Sequence, residues 1–510
     1  MDWSKALDVD VALKNVRQDL VGDWYRDPWG WPEIEYVATS APAVLFDRAA
    51  SSGVYRVANL DVPKEGFASR PAVVMEPVDR LLYQAVVDRV SVRLTKGMQP
   101  WVFGWRLRRR KPAPGLMARN DYEWANQRNA LYRLVEKQAF DLKTDIVSCF
   151  ASMPIHRVIE DIEHRVDGQH AVVGRLTGML HGWDAAPGRR GLPQRNAASS
   201  LLANMYLMNL DEAVTDYNET TRRSTSSSRK LSTRWMDDLW VFGHDEGRLR
   251  RLQVDLQDKA RNLGLELHAA KTGIHEGDEL ARQALQTAHS AVDSALNEPL
   301  FSNDSPDTAP LRELVESLLE EPEAADRSSV HFACVRLRQK KMTAEAQLLL
   351  EQAERMPHVA DHLSRLSNDL GLWKSYQTWY ADYVKSDWAR FSWSVAQLTT
   401  MFPSKSKVSD AVVTALVELM DDKPDLPVLA VGIQRLARWD SDTAKDLLRA
   451  LESKSDHPLE RRLLALGSLD LREPRHRIRD LLGAYPENQV TLRLIEDRGF
   501  KKLAAAKDFR

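Results

Sequence analysis

Two adjacent carboxylates, Asp237 and Asp238, lie within an apolar stretch: Arg234-Trp235-Met236-Asp237-Asp238-Leu239-Trp240-Val241-Phe242-Gly243. The pattern predicts a hairpin tip followed by a buried strand closed by Gly243. Side chains alternate along a strand, and burying an unpaired carboxylate costs several kcal/mol, so the pair needs a partner; a bound divalent cation supplies one. Adjacency alone means little. Asp421-Asp422 is also such a pair, but it lies in a Lys- and Pro-rich surrounding and reads as solvated.

A third acid stands in Phe140-Asp141-Leu142-Lys143-Thr144-Asp145-Ile146-Val147-Ser148-Cys149-Phe150. Alternation places Asp145 at the end of a strand, with a turn after it and helical sequence from Ile155 onward. Acids from separate strands that converge on two metal ions about 3.5–4 Å apart are what nucleotidyl transfer requires. One ion activates an attacking 3′-hydroxyl; the other holds a triphosphate and neutralises the leaving pyrophosphate. Three acids without a His or Cys shell suit Mg2+, with Mn2+ as a substitute.

Two more segments complete the set. Gly191-Leu192-Pro193-Gln194 leads into a helix-like run from Ala197 to Asn204, and Leu263-Gly264-Leu265-Glu266-Leu267-His268-Ala269-Ala270-Lys271 follows the double-Asp element after one helix. In this order the pieces resemble the palm of the reverse-transcriptase family: a strand Asp, a Gly-x-Pro-x loop with its helix, an aromatic-x-Asp-Asp hairpin, and a Leu-Gly-Leu…Lys element. The resemblance covers roughly residues 50–280. It implies that Asp145, Asp237 and Asp238 are the catalytic metal ligands. Phe150, five residues after Asp145, matches a steric gate against a ribose 2′-hydroxyl. Lys64 and Arg70 resemble the fingers loop that grips the incoming triphosphate, Gln194 belongs to the nucleotide-binding loop, and Lys271 matches a lysine that assists pyrophosphate departure. Arg suits phosphate because its planar fork donates in pairs.

Two departures stand out. The family usually has Gly where this chain has Arg195, and Tyr where it has Trp235.

The elements that must position these residues occupy a chain of 510 residues, enough for two to four domains. Val54-Tyr55-Arg56-Val57 and Ala72-Val73-Val74-Met75 read as strands around a loop with Pro63 and Gly66, and Val78, Leu81, Leu82, Ala85, Val86 and Val90 have helical spacing. Beyond about 280 the pattern turns almost wholly helical: Ala344-Leu348-Leu349-Ala353, Val412-Leu416-Val417-Met420 and Ala444-Leu447-Leu448-Leu451. The expected organisation is an α+β right-hand polymerase (fingers and palm) followed by an all-α helical-repeat (HEAT-like) domain, with a compact bundle as the alternative. Its boundaries fall at 1–50 for an aromatic N-terminal segment, 51–280 for fingers and palm, 281–326 for an acidic linker and 327–510 for the helical domain.

Charge is uneven although the net is only −2. Residues 93–143 carry 12 Lys/Arg against 4 Asp/Glu, whereas 296–326 carry 9 acidic residues against Arg312 alone. The first stretch could attract a polyanion or simply be solvated helix faces. The cluster Trp24-Tyr25-Arg26-Asp27-Pro28-Trp29-Gly30-Trp31 reads as packing in preference to base stacking. Tyr376, Tyr380 and Tyr383 read as a helix interface, and the Ser/Thr-rich basic stretch from Thr220 to Lys230 as a mobile loop or a phosphate contact. With only Cys149 and Cys334, no disulfide framework is available. A charged start, and no apolar run of about 20 residues, lead to the expectation of a cytoplasmic protein without a membrane span.

A palm followed by a long helical domain resembles bacterial abortive-infection and other defence-associated reverse transcriptases. That resemblance implies antiphage defence, a homo-oligomer, and DNA synthesis from deoxynucleoside triphosphates that is protein-primed or untemplated, with RNA, single-stranded DNA or a noncoding RNA as partner. Two alternatives stay open: a retroelement or intron-derived polymerase copying RNA, and a non-catalytic RNA-binding scaffold with a degenerate palm.

Overall fold

A computed structural model describes residues 1–108, 115–186, 188, 191–225, 231–285, 289, 292–293, 295–296, 307–421 and 423–509. Asp422, the basic run 226–230 and the acidic run 297–306 lie outside the described residues. The chain divides into two compact units, the first formed by Met1–Asp23, Val37–Val57 and Pro77–Ser290, the second by Trp24–Tyr36, Ala58–Glu76 and Ala291–Arg510. The linear division expected from the sequence is thus interrupted twice, by the aromatic segment and by a hairpin.

The first unit is built on a five-stranded sheet in the order β3-β5-β6-β4-β7. These strands are β3 (Val102–Phe103), β4 (Phe140–Thr144), β5 (Ser232–Trp235), β6 (Asp238–Gly243) and β7 (Gly273–Glu276). β4 runs antiparallel to both β6 and β7, β5 antiparallel to β6, and β3 parallel to β5. Alternation sorts the side chains. Leu142, Leu239 and Val241 face Val214, Leu249, Leu252 and Leu256 of the helices Ala197–Thr225 and Glu246–Asn262. Trp240 and Phe242 face Leu131 and Leu134 of the helix Asn120–Val135, and Leu280 and Ala284 of the helix Gly277–Leu285. Helices therefore cover both faces of the sheet, an α+β layering that the apolar run of β6 announces.

In the second unit β1 (Val57–Pro63) pairs with β2 (Ser69–Met75). The first strand starts at Val57 and not at Val54, because Tyr55 is buried as a side chain in the first unit, with Arg48 over its ring and Trp183 against its edge. The remainder is helical, and the three periodic segments read from the sequence form the helices Thr343–Glu351, Asp410–Asp421 and Ser441–Glu452. Alternate helices stack: Arg327–Lys340 on Ala360–Leu370, then Ser392–Thr399, Leu426–Trp439 and Pro458–Asp470. Polar contacts repeat the same step. Arg312–Glu345, Ser392–Asp425 and Lys423–Asp456 each join residues 33 apart, and Arg355–Glu323 and Ser409–Gln377 residues 32 apart. This spacing is close to the roughly 34 residues of a two-helix tetratricopeptide unit and shorter than the ~40–47 of HEAT repeats.

The early aromatic cluster packs inside the second unit. Trp24, Tyr25, Trp29 and Trp31 are all buried, and the segment is tied by charge: Arg462 sends its fork to Asp27 (Nη1–Oδ1 2.7 Å) and Glu33 (Nε–Oε1 2.7 Å). All three side chains are shielded from solvent. Two carboxylates around one guanidinium hold its pKa well above the usual range. Removing the cation leaves two buried acids unpaired, which costs about 3–5 kcal/mol. Arg462→Met is expected to lower the denaturant-unfolding free energy of the full chain by that amount, and a loss below about 1 kcal/mol would refute the assignment.

Candidate active site

The double-Asp element is a hairpin with a two-residue loop, since Trp235 pairs with Asp238 across β5 and β6. Met236 takes a positive φ of 55° while Asp237 does not, the pattern of a type II′ turn, in which Gly is the usual first residue. A methionine there stores about 1–2 kcal/mol of backbone strain, so the turn must be held. Arg234 holds it. Its Nη1 donates to the Met236 carbonyl at 2.7 Å and to Asn204 Oδ1 at 2.9 Å. Its other two nitrogens pair with Asp211 at 2.8 and 2.7 Å, and the whole network is buried. Asn204 Nδ2 in turn donates to the Gly104 carbonyl.

Asp145 leaves β4 at its end and is backed by the Leu263–Lys271 segment. The Asp145 carbonyl accepts from His268 N–H at 2.8 Å, and Glu266 accepts from Val147 N–H at 2.9 Å. Ile146 N–H donates to Asp145 Oδ1 at 3.0 Å, and Lys271 Nζ to Asp145 Oδ2 at 3.0 Å. The Asp237 carboxyl is close enough to interact directly with that of Asp145. Burial and the Asp145 charge together push Asp237 up to about 7. Asp238 is also raised, chiefly by burial, and its Oδ2 accepts from Trp240 Nε1 at 3.1 Å.

Asp145, Asp237 and Lys271 thus meet from three segments, with Asp238 beside them but engaged by an indole. Among the described residues no group of three or more His, Cys, Asp or Glu side chains is arranged as a ready-made ion site. The donors nevertheless fit a hard divalent cation. They are oxygens only, they repel one another, and the lysine paired with Asp145 is more than half exposed.

The remaining expected residues sort by position. Phe150 is half-buried on the short helix Cys149–Ser152, directly after the buried Cys149, whose thiol is pushed up by burial and by Asp237. The Phe150 carbonyl accepts from Leu192 N–H at 2.8 Å, joining the Gly191–Gln194 loop to the Asp145 segment. Gly191 has φ 72° and a Cβ there would stand 2.2 Å from the Phe150 oxygen, so no other residue fits. Gln194 is half-buried in this loop, and Asn196 caps the following helix by accepting from Ser199 N–H at 2.7 Å. Arg195 adopts φ 58°, the conformation glycine would favour.

Lys64 and Arg70 lie in the second unit. Lys64 N–H closes the β1–β2 loop on the Ala68 carbonyl, Phe67 packs on Trp388 and Phe391, and Arg70 lies 5.1 Å above the Trp24 ring. The acids belong to the first unit. Sequence reasoning missed Arg234 and Asp211, although a lone Arg inside an apolar strand demands a partner, and Asn204 and Asp211, seven apart, share one face of an apolar helix. It also missed the buried Asp141, held by His275 Nδ1 at 2.8 Å and pushed up to about 6 by burial.

Residues 62–308 match the family model for reverse transcriptase (RNA-dependent DNA polymerase). The chain carries a reverse-transcriptase domain. That domain is followed by a largely helical region, and reverse-transcriptase domains generally use divalent metal ions. Among solved structures, telomerase from Candida albicans with the TWJ fragment of telomeric RNA is similar at 9% identity, covering 86% of this chain and 66% of that chain with a TM-score of 0.29. The chain therefore spans just under two thirds of that protein's length. A search of curated proteins finds no match.

The facing acids of the reverse-transcriptase domain carry a stability cost without a cation. In chelator, Asp237→Asn is expected to raise the unfolding free energy by about 1 kcal/mol. Because the folded carboxyl titrates near 7, above its unfolded value, its stabilising protonation is present at low pH and lost as pH rises through 7. The gap between variant and wild type should therefore widen from about pH 4 to about pH 7 and stay level above that. A variant less stable than wild type across that window would contradict the repulsion.

Proposed function

We propose that this chain is a reverse-transcriptase-type DNA polymerase in which Asp145 and Asp237 hold Mg2+ ions, with Asp238 completing the acidic set. The observation that carries this reading is the convergence of the Asp145 and Asp237 carboxyls from separate strands within a matched reverse-transcriptase domain. When bound, the ions would activate a 3′-hydroxyl and neutralise the leaving pyrophosphate. The chain's own residues do the rest. Arg234 fixes the strained turn that presents Asp237. Lys271, on the rim beside Asp145, supplies positive charge where pyrophosphate departs. By the family resemblance Phe150, on the helix that follows the Asp145 turn, stands against a ribose 2′-hydroxyl, and the Gly191–Gln194 loop, tied to the Phe150 backbone, binds the nucleotide. Triphosphate binding by Lys64 and Arg70 rests on the family resemblance.

The wider role we assign is bacterial antiphage defence by an oligomeric cytoplasmic enzyme whose DNA synthesis is protein-primed or untemplated, with RNA or single-stranded DNA as partner. The support is the order of parts, a reverse-transcriptase domain followed by stacked helix pairs. Among the described residues no helix is long and apolar enough to cross a membrane. Tyr380 and Tyr383 are buried, with hydroxyls held well above their ordinary pKa, which argues against them as protein primers.

Purified full-length protein with magnesium and labelled deoxynucleotides should form polymer. Asp145→Ala and Asp237→Ala should each reduce the rate by about 10³-fold or more, several kcal/mol of lost transition-state stabilisation. Polymer made equally well by Asp237→Ala would refute the assignment. Phe150→Ala should keep activity and admit ribonucleotides. Sequencing the nucleic acid that co-purifies identifies template and product, and loss of phage protection in Asp237→Ala cells tests the defence role.

A further inference from the structure

The helix Asn120–Val135 gathers exposed aromatic side chains on its solvent side. Of the four well-exposed aromatic side chains among the described residues, three are on this one helix: Tyr122 (65%), Trp124 (46%) and Tyr132 (38%). Arginines are interleaved with them. Arg119 lies 5.4 Å from the Tyr122 ring and Arg128 5.5 Å from the Tyr132 ring, with Arg133 one residue further. The face is not isolated from the acids. Trp124 meets Trp235 edge-on with centroids 5.2 Å apart, and Trp105 lies 6.3 Å away on the same indole. Trp235 pairs in register with Asp238, so both side chains leave the sheet on one face. Gly104, at φ 74°, lets that indole lie flat on the backbone, since a Cβ would stand 3.2 Å from the ring.

We propose that this face, from Tyr132 through Trp124 to Trp235, is a stacking platform that leads a single-stranded nucleic acid to the acid pair. The proposal rests on the polymerase reading and names the surface that reading leaves open. Exposed rings alternating with guanidinium groups, in a stretch with 12 basic against 4 acidic residues, suit bases and phosphates together. The residues between the rings are polar or small (Ala125, Asn126, Asn129), where a protein-binding helix would present aliphatic anchors. A duplex hides its base faces, so the strand must be single.

The test is fluorescence anisotropy of a labelled 20-residue oligothymidine on the full chain without nucleotides. Tyr122→Ala/Trp124→Ala/Tyr132→Ala should weaken binding at least tenfold with an unchanged salt slope, because stacking and not phosphate contact is removed. Trp124→Phe should restore most of the affinity when it replaces the alanine, and Arg128→Gln/Arg133→Gln should flatten the slope. These side chains are at the surface, and an unchanged melting temperature verifies folding. Wild type that does not bind, a triple variant that binds normally, or a triple variant that only dissociates a dimer each overturns the proposal. The two readings separate cleanly. Binding lost in the triple variant by a protein that makes no polymer keeps the platform and removes the polymerase, whereas polymer with undisturbed binding does the reverse.

Discussion

Everything in the first unit bends to one unfavourable contact, the approach of the Asp145 and Asp237 carboxyls. Burial raises the Asp237 carboxyl and the Asp145 charge beside it adds repulsion, so that Asp237 is pushed up to about 7. A fold keeps such a pair only when surrounding interactions over-determine it. The Arg234 fork, with Asp211 and Asn204 behind it, holds the strained Met236 turn from below. The β4–β6 register, Thr144 opposite Leu239, sets the height of one acid against the other. His268 and Glu266 stitch the strand end of Asp145 to the Lys271 segment. Removing any of these braces leaves the repulsion to push the two tips apart.

The acids, their order and the elements beneath them were legible because each rests on local pattern. Alternation fixed β4 and β6, an apolar run flanked by Asp and Gly fixed the hairpin, and a Gly-x-Pro loop preceded a helix that Asn196 caps. What stayed hidden depends on long-range pairing. Asp211 lies 23 residues from Arg234, and nothing local says that a helix polar residue will turn inward to meet a strand arginine. His275 meets Asp141 across 134 residues. The two strands read around the Pro63–Gly66 loop form the pair β1–β2, with the first strand starting later than expected, and the pair belongs to the second unit because what decides its place is Phe67 on Trp388 and Arg70 on Trp24, contacts more than 40 residues away in sequence.

The second unit shows the same limit in another form. Its helices could be counted from periodicity, but its repeat could not, since a step of 32–33 residues is carried by structural stacking and by polar contacts whose partners change identity at each turn: Arg with Glu, Ser with Asp, Lys with Asp. The buried Arg462 cluster then closes the array around the aromatic segment, so that a short N-terminal stretch rich in Trp and Tyr is pinned by two carboxylates on one guanidinium. Packing explains the conspicuous rings there, and leaves the exposed rings of the Asn120–Val135 helix as the ones that need a ligand.

The two departures from the family pattern are resolved differently by the backbone. Arg195 stands at φ 58°, so the chain keeps the left-handed conformation that glycine would supply and accepts about 1–2 kcal/mol of strain for a side chain at that place. That cost is offset from both flanks, by Gly191 locked against Phe150 on one side and by Asp19 accepting from Ala197 N–H on the other. Trp235 changes no backbone conformation at all. It enlarges a side chain on the sheet face that carries Asp238, and Gly104 and Trp105, directly after β3, make room for it and cover it. One departure thus places a positive charge directly after the Gly191–Gln194 loop, and the other adds an aromatic ring on the sheet face that carries Asp238.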